Sequence, residues 1–124
     1  MRPRGERGSV SVVVAAILLA TMMLALGAAD LARVLIAASR AQTAADAGAL
    51  AAAQEVAFPG EVEPGAIAAD LVARNGGRMR VCLCEPGTIE ASVEVEVPVG
   101  RLFLSLDDLV VAARARAVVE VVQP

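Results

Sequence analysis

The chain has 124 residues, 57% of them hydrophobic, and a formal net charge of −3. The apolar excess is alanine and valine, with Phe58 and Phe103 the only aromatics, so each core side chain buries little area and a soluble part would be marginally stable alone. Histidine is absent, which removes the usual neutral-pH general base and the commonest zinc ligand.

The charges are unevenly placed. All the basic residues are arginine, and Arg2, Arg4 and Arg7 stand with Glu6 in a basic head, residues 1–8. From Asp30 onward eight arginines face thirteen acidic residues, which argues against nucleic-acid binding by the body. Between them, residues 10–29 form a run of twenty without a charge. At 1.5 Å per residue this helix spans roughly the 30 Å hydrocarbon core of a bilayer. The hydroxyls of Ser11 and Thr21 can return to the helix backbone. Residues 9–29 are therefore expected to be a transmembrane helix, with the basic head in the cytoplasm and the acidic body outside. A cleaved secretory signal is the rival, since Ala25, Gly27 and Ala29 could mimic a cleavage site. Against it, the run exceeds the usual apolar core of about 7–15 residues, and no helix breaker marks its end.

The helical pattern does not stop there. Asp30 and Arg33 fall where a helix would emerge into headgroups, and residues 32–57 hold no proline and one glycine, Gly48. Leu31, Val34, Leu35, Ala38, Ala45, Ala49 with Leu50, and Ala53 recur at three- and four-residue steps as an apolar stripe. Arg33, Arg40, Gln42, Thr43, Asp46 and Gln54 lie largely off it. Pro59 and Gly60 are the expected stop, giving an alanine-rich stem over residues 30–58. Such a stem suits two uses: covering its own small domain, or packing closely against neighbouring helices.

Residues 59–124 read as a small α+β domain. Pro64 suits a first helical position, Ile67, Leu71 and Val72 form an apolar face, and Gly76-Gly77 end the helix. In RMRVCLC, Met79, Val81 and Leu83 alternate with Arg78, Arg80, Cys82 and Cys84. In IEASVEVEV, Ile89, Ala91, Val93, Val95 and Val97 alternate with Glu90, Glu94 and Glu96. A three-residue turn, Pro86-Gly87-Thr88, would set Met79 opposite Val95, Val81 opposite Val93, Arg78 opposite Glu96 and Arg80 opposite Glu94. RLFLSLDDL reads as an irregular or short helical link. In the last strand, Val111, Ala113, Ala115, Ala117, Val119 and Val121 alternate with Arg114, Arg116 and Glu120. The expected fold class is thus α+β: one long helix, a short second helix and a three-stranded antiparallel sheet whose oily face the stem covers, a pilin-like layout.

Residues that carry chemistry are sparse. Cys82 and Cys84 are too few for a zinc or iron–sulfur site, and a disulfide across one residue is strained where side chains two apart project in parallel. They read as two half-buried thiols. Asp107-Asp108 would diverge on a helix and read as solvated or capping residues. Ser9, Ser11 and Ser39 have no base, and no phosphate-binding glycine loop is present. No catalytic, cofactor, metal or small-molecule substrate site is expected, and the chain reads as no enzyme.

ERGSVSV running into the apolar segment, followed by RAQTAADAGALAAAQE, resembles the TadE/TadG-like proteins of Flp (tight adherence) pilus systems. It is most similar to the short actinobacterial TadE-like proteins of secretion and pilus gene neighbourhoods. The signature is residues 40–53, with Arg40, Gln42, Ala45, Asp46, Ala49 and Leu50 as its stem residues. The resemblance implies a single-pass, pilin-like membrane protein serving pilus assembly or secretion. Its partners would be the lipid bilayer and other pilin-like subunits or an assembly platform. In type IV pilin relatives a prepilin peptidase cuts after a glycine and glutamate is the fifth residue beyond. Gly8 and Ser9 occupy that processing place, and the fifth residue after Gly8 is Val13. A minor, initiating or membrane-embedded role fits this departure better than a major pilin. The rivals are a small secreted binding protein released by cleavage near residue 29, and a membrane-active, holin-like peptide that would need no ordered strands.

Overall fold

In the computed structural model, which describes residues 7–120, five elements follow in chain order: α1 (Arg7–Ala57), α2 (Pro64–Arg74), β1 (Arg78–Leu83), β2 (Glu90–Gly100) and β3 (Leu109–Val118). The strands form one antiparallel sheet in the order β1-β2-β3. The expected α+β fold is what forms. Arg2, Arg4, Glu6 and Val121 lie outside the described residues.

α1 is a single helix of 51 residues, about 76 Å long at 1.5 Å per residue. It ends at Ala57, ahead of Pro59, and the Phe58 N–H closes the last turn on the Gln54 carbonyl at 2.9 Å. α2 begins with Pro64 in its first turn and ends in a Schellman motif. There the Gly76 N–H donates to Ala73 O and the Gly77 N–H to Val72 O, both at 3.0 Å, with Gly76 at φ 78°.

One face of the sheet, one face of α2 and the outer half of α1 share a core of small side chains. From the helix come Ala37, Ala41, Ala44, Ala45, Ala49, Ala52 and Ala53, from α2 Ala68 and Val72, and from the sheet Ala91, Val93, Val95, Val97, Ala115 and Ala117. The buried stripe keeps Ala45, Ala49 and Ala53 of the expected pattern but not its leucines. Leu31, Leu35 and Leu50 are about 60% exposed, and Asp30, Ala41 and Ala44 are buried instead. The reason is steric: the helix lies too close to α2 and the sheet for leucine. A Cβ built on Gly48 would fall 2.7 Å from Val72 Cγ2 and 3.4 Å from Val93 Cγ1. Methyl-sized side chains allow this approach, and interiors packed so densely leave no space for larger ones.

The register of β1 departs from expectation in its second half. Arg78 pairs with Glu96 and Met79 with Val95 as the alternation predicts. A bulge at Arg80 then shifts the ladder, so Val81 lies opposite Glu94 and Cys82 opposite Val93. Arg80 and Val81 both point outward, and the two cysteines, rather than Val81 and Leu83, pack against the core. The extra residue lets Arg78 and Arg80 both reach Glu96, at 3.3 and 2.8 Å. Glu94 is left to Arg114 and Glu90 to Arg116, each at 2.5 Å. The hairpin connection is also longer than three residues, since Leu83 pairs with Ser92 and Ile89 is exposed ahead of β2.

Candidate functional site

The first half of α1 is bare. Val10, Val12, Val13, Ile17, Leu18 and Leu24 are each at least half exposed, and no other described part of the chain covers them. Among the described residues α1 is the one helix long and apolar enough to cross a membrane. Thr21 ties its hydroxyl to Leu18 O at 2.9 Å, so the segment presents almost no free polar group along its sides. Gly8 and Ser9 are exposed in the first turns of this helix, with open space around Gly8.

On the stem, the signature residues separate into two sets. Ala45 and Ala49, 0% and 1% exposed, are turned onto the sheet and are consumed by the chain's own core. Arg40, Gln42, Asp46 and Leu50 are exposed. Gln42 Nε2 donates to Asp46 Oδ1 at 2.9 Å, an i,i+4 pair that leaves Leu50 as the large apolar contact on this side. Leu31, Leu35 and Ile36 extend the exposed apolar surface toward the apolar half of the helix.

Where the bare half meets the covered half, the loop between β2 and β3 folds back onto the helix. Asp30, 8% exposed, accepts the Phe103 N–H on Oδ1 and the Leu104 N–H on Oδ2, both at 2.8 Å. Arg33 donates to the Arg101 carbonyl, and its guanidinium lies over the Phe103 ring, 4.6 Å from the centroid. Arg33, Arg40 and Arg101 line an open groove between α1 and the end of β2. In the sequence Asp30 stands out only as the first charge after the apolar run. The signal that could have found it is its register: Asp30 falls three to four residues before the series Val34, Ala37, Ala41, Ala44. A carboxylate in line with a buried stripe needs donors brought to it from elsewhere in the chain.

At the far end of the sheet, Cys82 and Cys84 are joined as a disulfide, with Cα atoms 5.4 Å apart, correcting the expected pair of free thiols. An ideal strand separates such residues by about 6.7 Å. Here the strand end is drawn in, to a span within the usual disulfide range. Asp107 and Asp108 are both exposed in the β2–β3 loop. Among the described residues no three acidic or cysteine side chains gather as a metal site would require.

Residues 8–55 match the family model described as putative Flp pilus-assembly TadE/G-like, a span that coincides with α1 almost end to end. No curated protein and no solved structure matches the chain.

Proposed function

We propose, from the match of residues 8–55 to the Flp pilus-assembly TadE/G-like family model, that this chain is a membrane-anchored, pilin-like component of a Flp-type pilus assembly or secretion system, acting through helix packing rather than catalysis. The observation that carries the reading is the division of one continuous helix. No residue of its apolar run is buried by the chain, whereas its alanine half turns one face onto the sheet and α2. A soluble protein would hide such a helix in its core; a bilayer or sister helices hide it here.

The basic head of residues 1–8 sets that end in the cytoplasm, and residues 9–29 span the bilayer. The stem of residues 30–58 and the domain of residues 59–124 stand outside. Contacts with sister subunits or an assembly platform use the span and the exposed stem side of Arg40, Gln42, Asp46 and Leu50, since Ala45 and Ala49 are not open to a partner. The mass of the mature species extracted from membranes tests the anchor. The intact chain, or the chain short of its first eight residues by cutting between Gly8 and Ser9, is the expected species. Loss of about thirty residues would instead establish the secreted alternative, released near residue 29, whose signal segment is removed.

A further inference from the structure

The β2–β3 loop is unusual for a connection, because several large apolar side chains in it stay mostly exposed. Phe103 and Leu104 are more than half exposed and Leu106 is fully exposed. Their height along α1 is fixed by contacts. Phe103 and Leu104 hang by their backbone amides from Asp30, the first charged residue after the apolar run. A Cβ built on Gly27 would lie 3.7 Å from Leu104 Cδ1, so that leucine lies beside the last turn of the run itself.

We propose that the β2–β3 loop is a second membrane contact, seating Phe103, Leu104 and Leu106 in the outer interfacial layer of the bilayer beside the helix. The inference rests on the anchored reading above. The occupant is lipid rather than protein because the patch is continuous with the span, at the depth of its outermost turn. The backbone is prepared for that place. A loop entering apolar surroundings must tie off its polar groups, and Asp30 takes two amides while Arg33 takes the Arg101 carbonyl. Arg33 and Arg101 then lie at headgroup height, where their charges meet lipid phosphates. Asp107 and Asp108 turn the chain back toward water before β3. With two contacts instead of one, the sheet is held at a fixed angle to the membrane instead of swinging about the helix.

The chain contains no tryptophan, so a single substitution gives a clean fluorescent reporter. Full-length Leu106→Trp, Leu19→Trp and Leu83→Trp are reconstituted in phosphatidylcholine–phosphatidylglycerol nanodiscs carrying lipids brominated near the headgroup or deep in the chains. All three positions are exposed, so the fold tolerates the ring. Leu106→Trp should emit to the blue of Leu83→Trp and be quenched more strongly by shallow than by deep bromines. Leu19→Trp should be quenched by deep ones and Leu83→Trp by neither. If Leu19→Trp escapes quenching, the anchored reading fails and this proposal with it. If Leu19→Trp is quenched but Leu106→Trp emits as in water, the loop proposal alone is overturned. Blue emission from Leu106→Trp without lipid quenching also overturns it, by showing that protein covers the loop.

Discussion

Asp30 on the long helix holds the backbone N–H of Phe103, seventy-three residues later, at 2.8 Å, and its second oxygen holds the N–H of Leu104 at the same distance. One buried carboxylate thus ties the β2–β3 loop to the junction of the bare and covered helix. Asp30→Ala leaves two amides without their acceptor, at a cost of about 1–3 kcal/mol each if they stay dry. The loop should respond by detaching rather than by unfolding the sheet, whose core lies elsewhere. Trypsin cleavage after Arg101 measures this directly: faster in Asp30→Ala, intermediate in Asp30→Asn, which keeps one acceptor oxygen. Equal cleavage rates in all three chains would show that the clamp does not hold the loop.

The two glycines after α2 should fail for different reasons. Gly77 has no room: an added Cβ would meet Val95 Cγ1 at 2.6 Å, with Ala44 Cβ and Val72 Cγ1 both at 3.2 Å. Gly77→Ala therefore overpacks the core, by about 1–3 kcal/mol. Gly76 has open space but sits at φ 78°, so Gly76→Ala costs about 1–2 kcal/mol of backbone strain. Urea unfolding in detergent separates the mechanisms through second variants. Val95→Ala, by removing the clashing methyls, should recover part of the Gly77→Ala loss and none of the Gly76→Ala loss. Equal recovery in both would refute the distinction.

The bulge at Arg80 puts Met79 and Val81 on opposite faces, where a regular ladder would turn both to the core. With Val81 facing out, Val81→Asp should cost no more than about 1 kcal/mol, including the like charge it sets opposite Glu94. Met79→Asp puts a charge against the core and should cost about 2 kcal/mol or more. The paired core-side cysteines should resist alkylation until a reductant is added, and then take two labels by mass. A chain destabilised equally by both aspartates would carry the regular ladder instead.

What could be read from the sequence follows from how each feature is encoded. The long helix, the proline start and glycine stop of α2, and the alternation in β2 and β3 are written in local residue spacing, and all are present. The Arg78–Glu96 and Met79–Val95 pairs followed from alternation, but a bulge changes the count by one without changing composition. The three- and four-residue spacing finds Ala45, Ala49 and Ala53 of the buried stripe but includes Leu31, Leu35 and Leu50, because spacing carries no record of how closely the helix is approached. The Asp30 clamp was invisible for another reason. Its partners are backbone amides, which every sequence contains, and only the return of a distant loop selects two of them.

The large residues Leu35 and Leu50 are free for partners because the alanines took the sheet. Leu35→Arg and Leu50→Arg should leave the unfolding midpoint of the purified chain nearly unchanged, since exposed substitutions shift stability by no more than about 0.5 kcal/mol. In cells they should weaken assembly, because an arginine in a dry helix–helix contact brings an unpaired charge. Photo-crosslinking from position 36, beside them on the exposed surface, should capture a neighbouring subunit in the parent chain and lose that product in either arginine variant. Ala45→Leu should behave the opposite way, lowering the midpoint by overpacking against the sheet while leaving the outer surface as it was. Crosslinks that persist in the arginine variants, or monomer alone from the parent chain, would remove the exposed stem from the assembly reading.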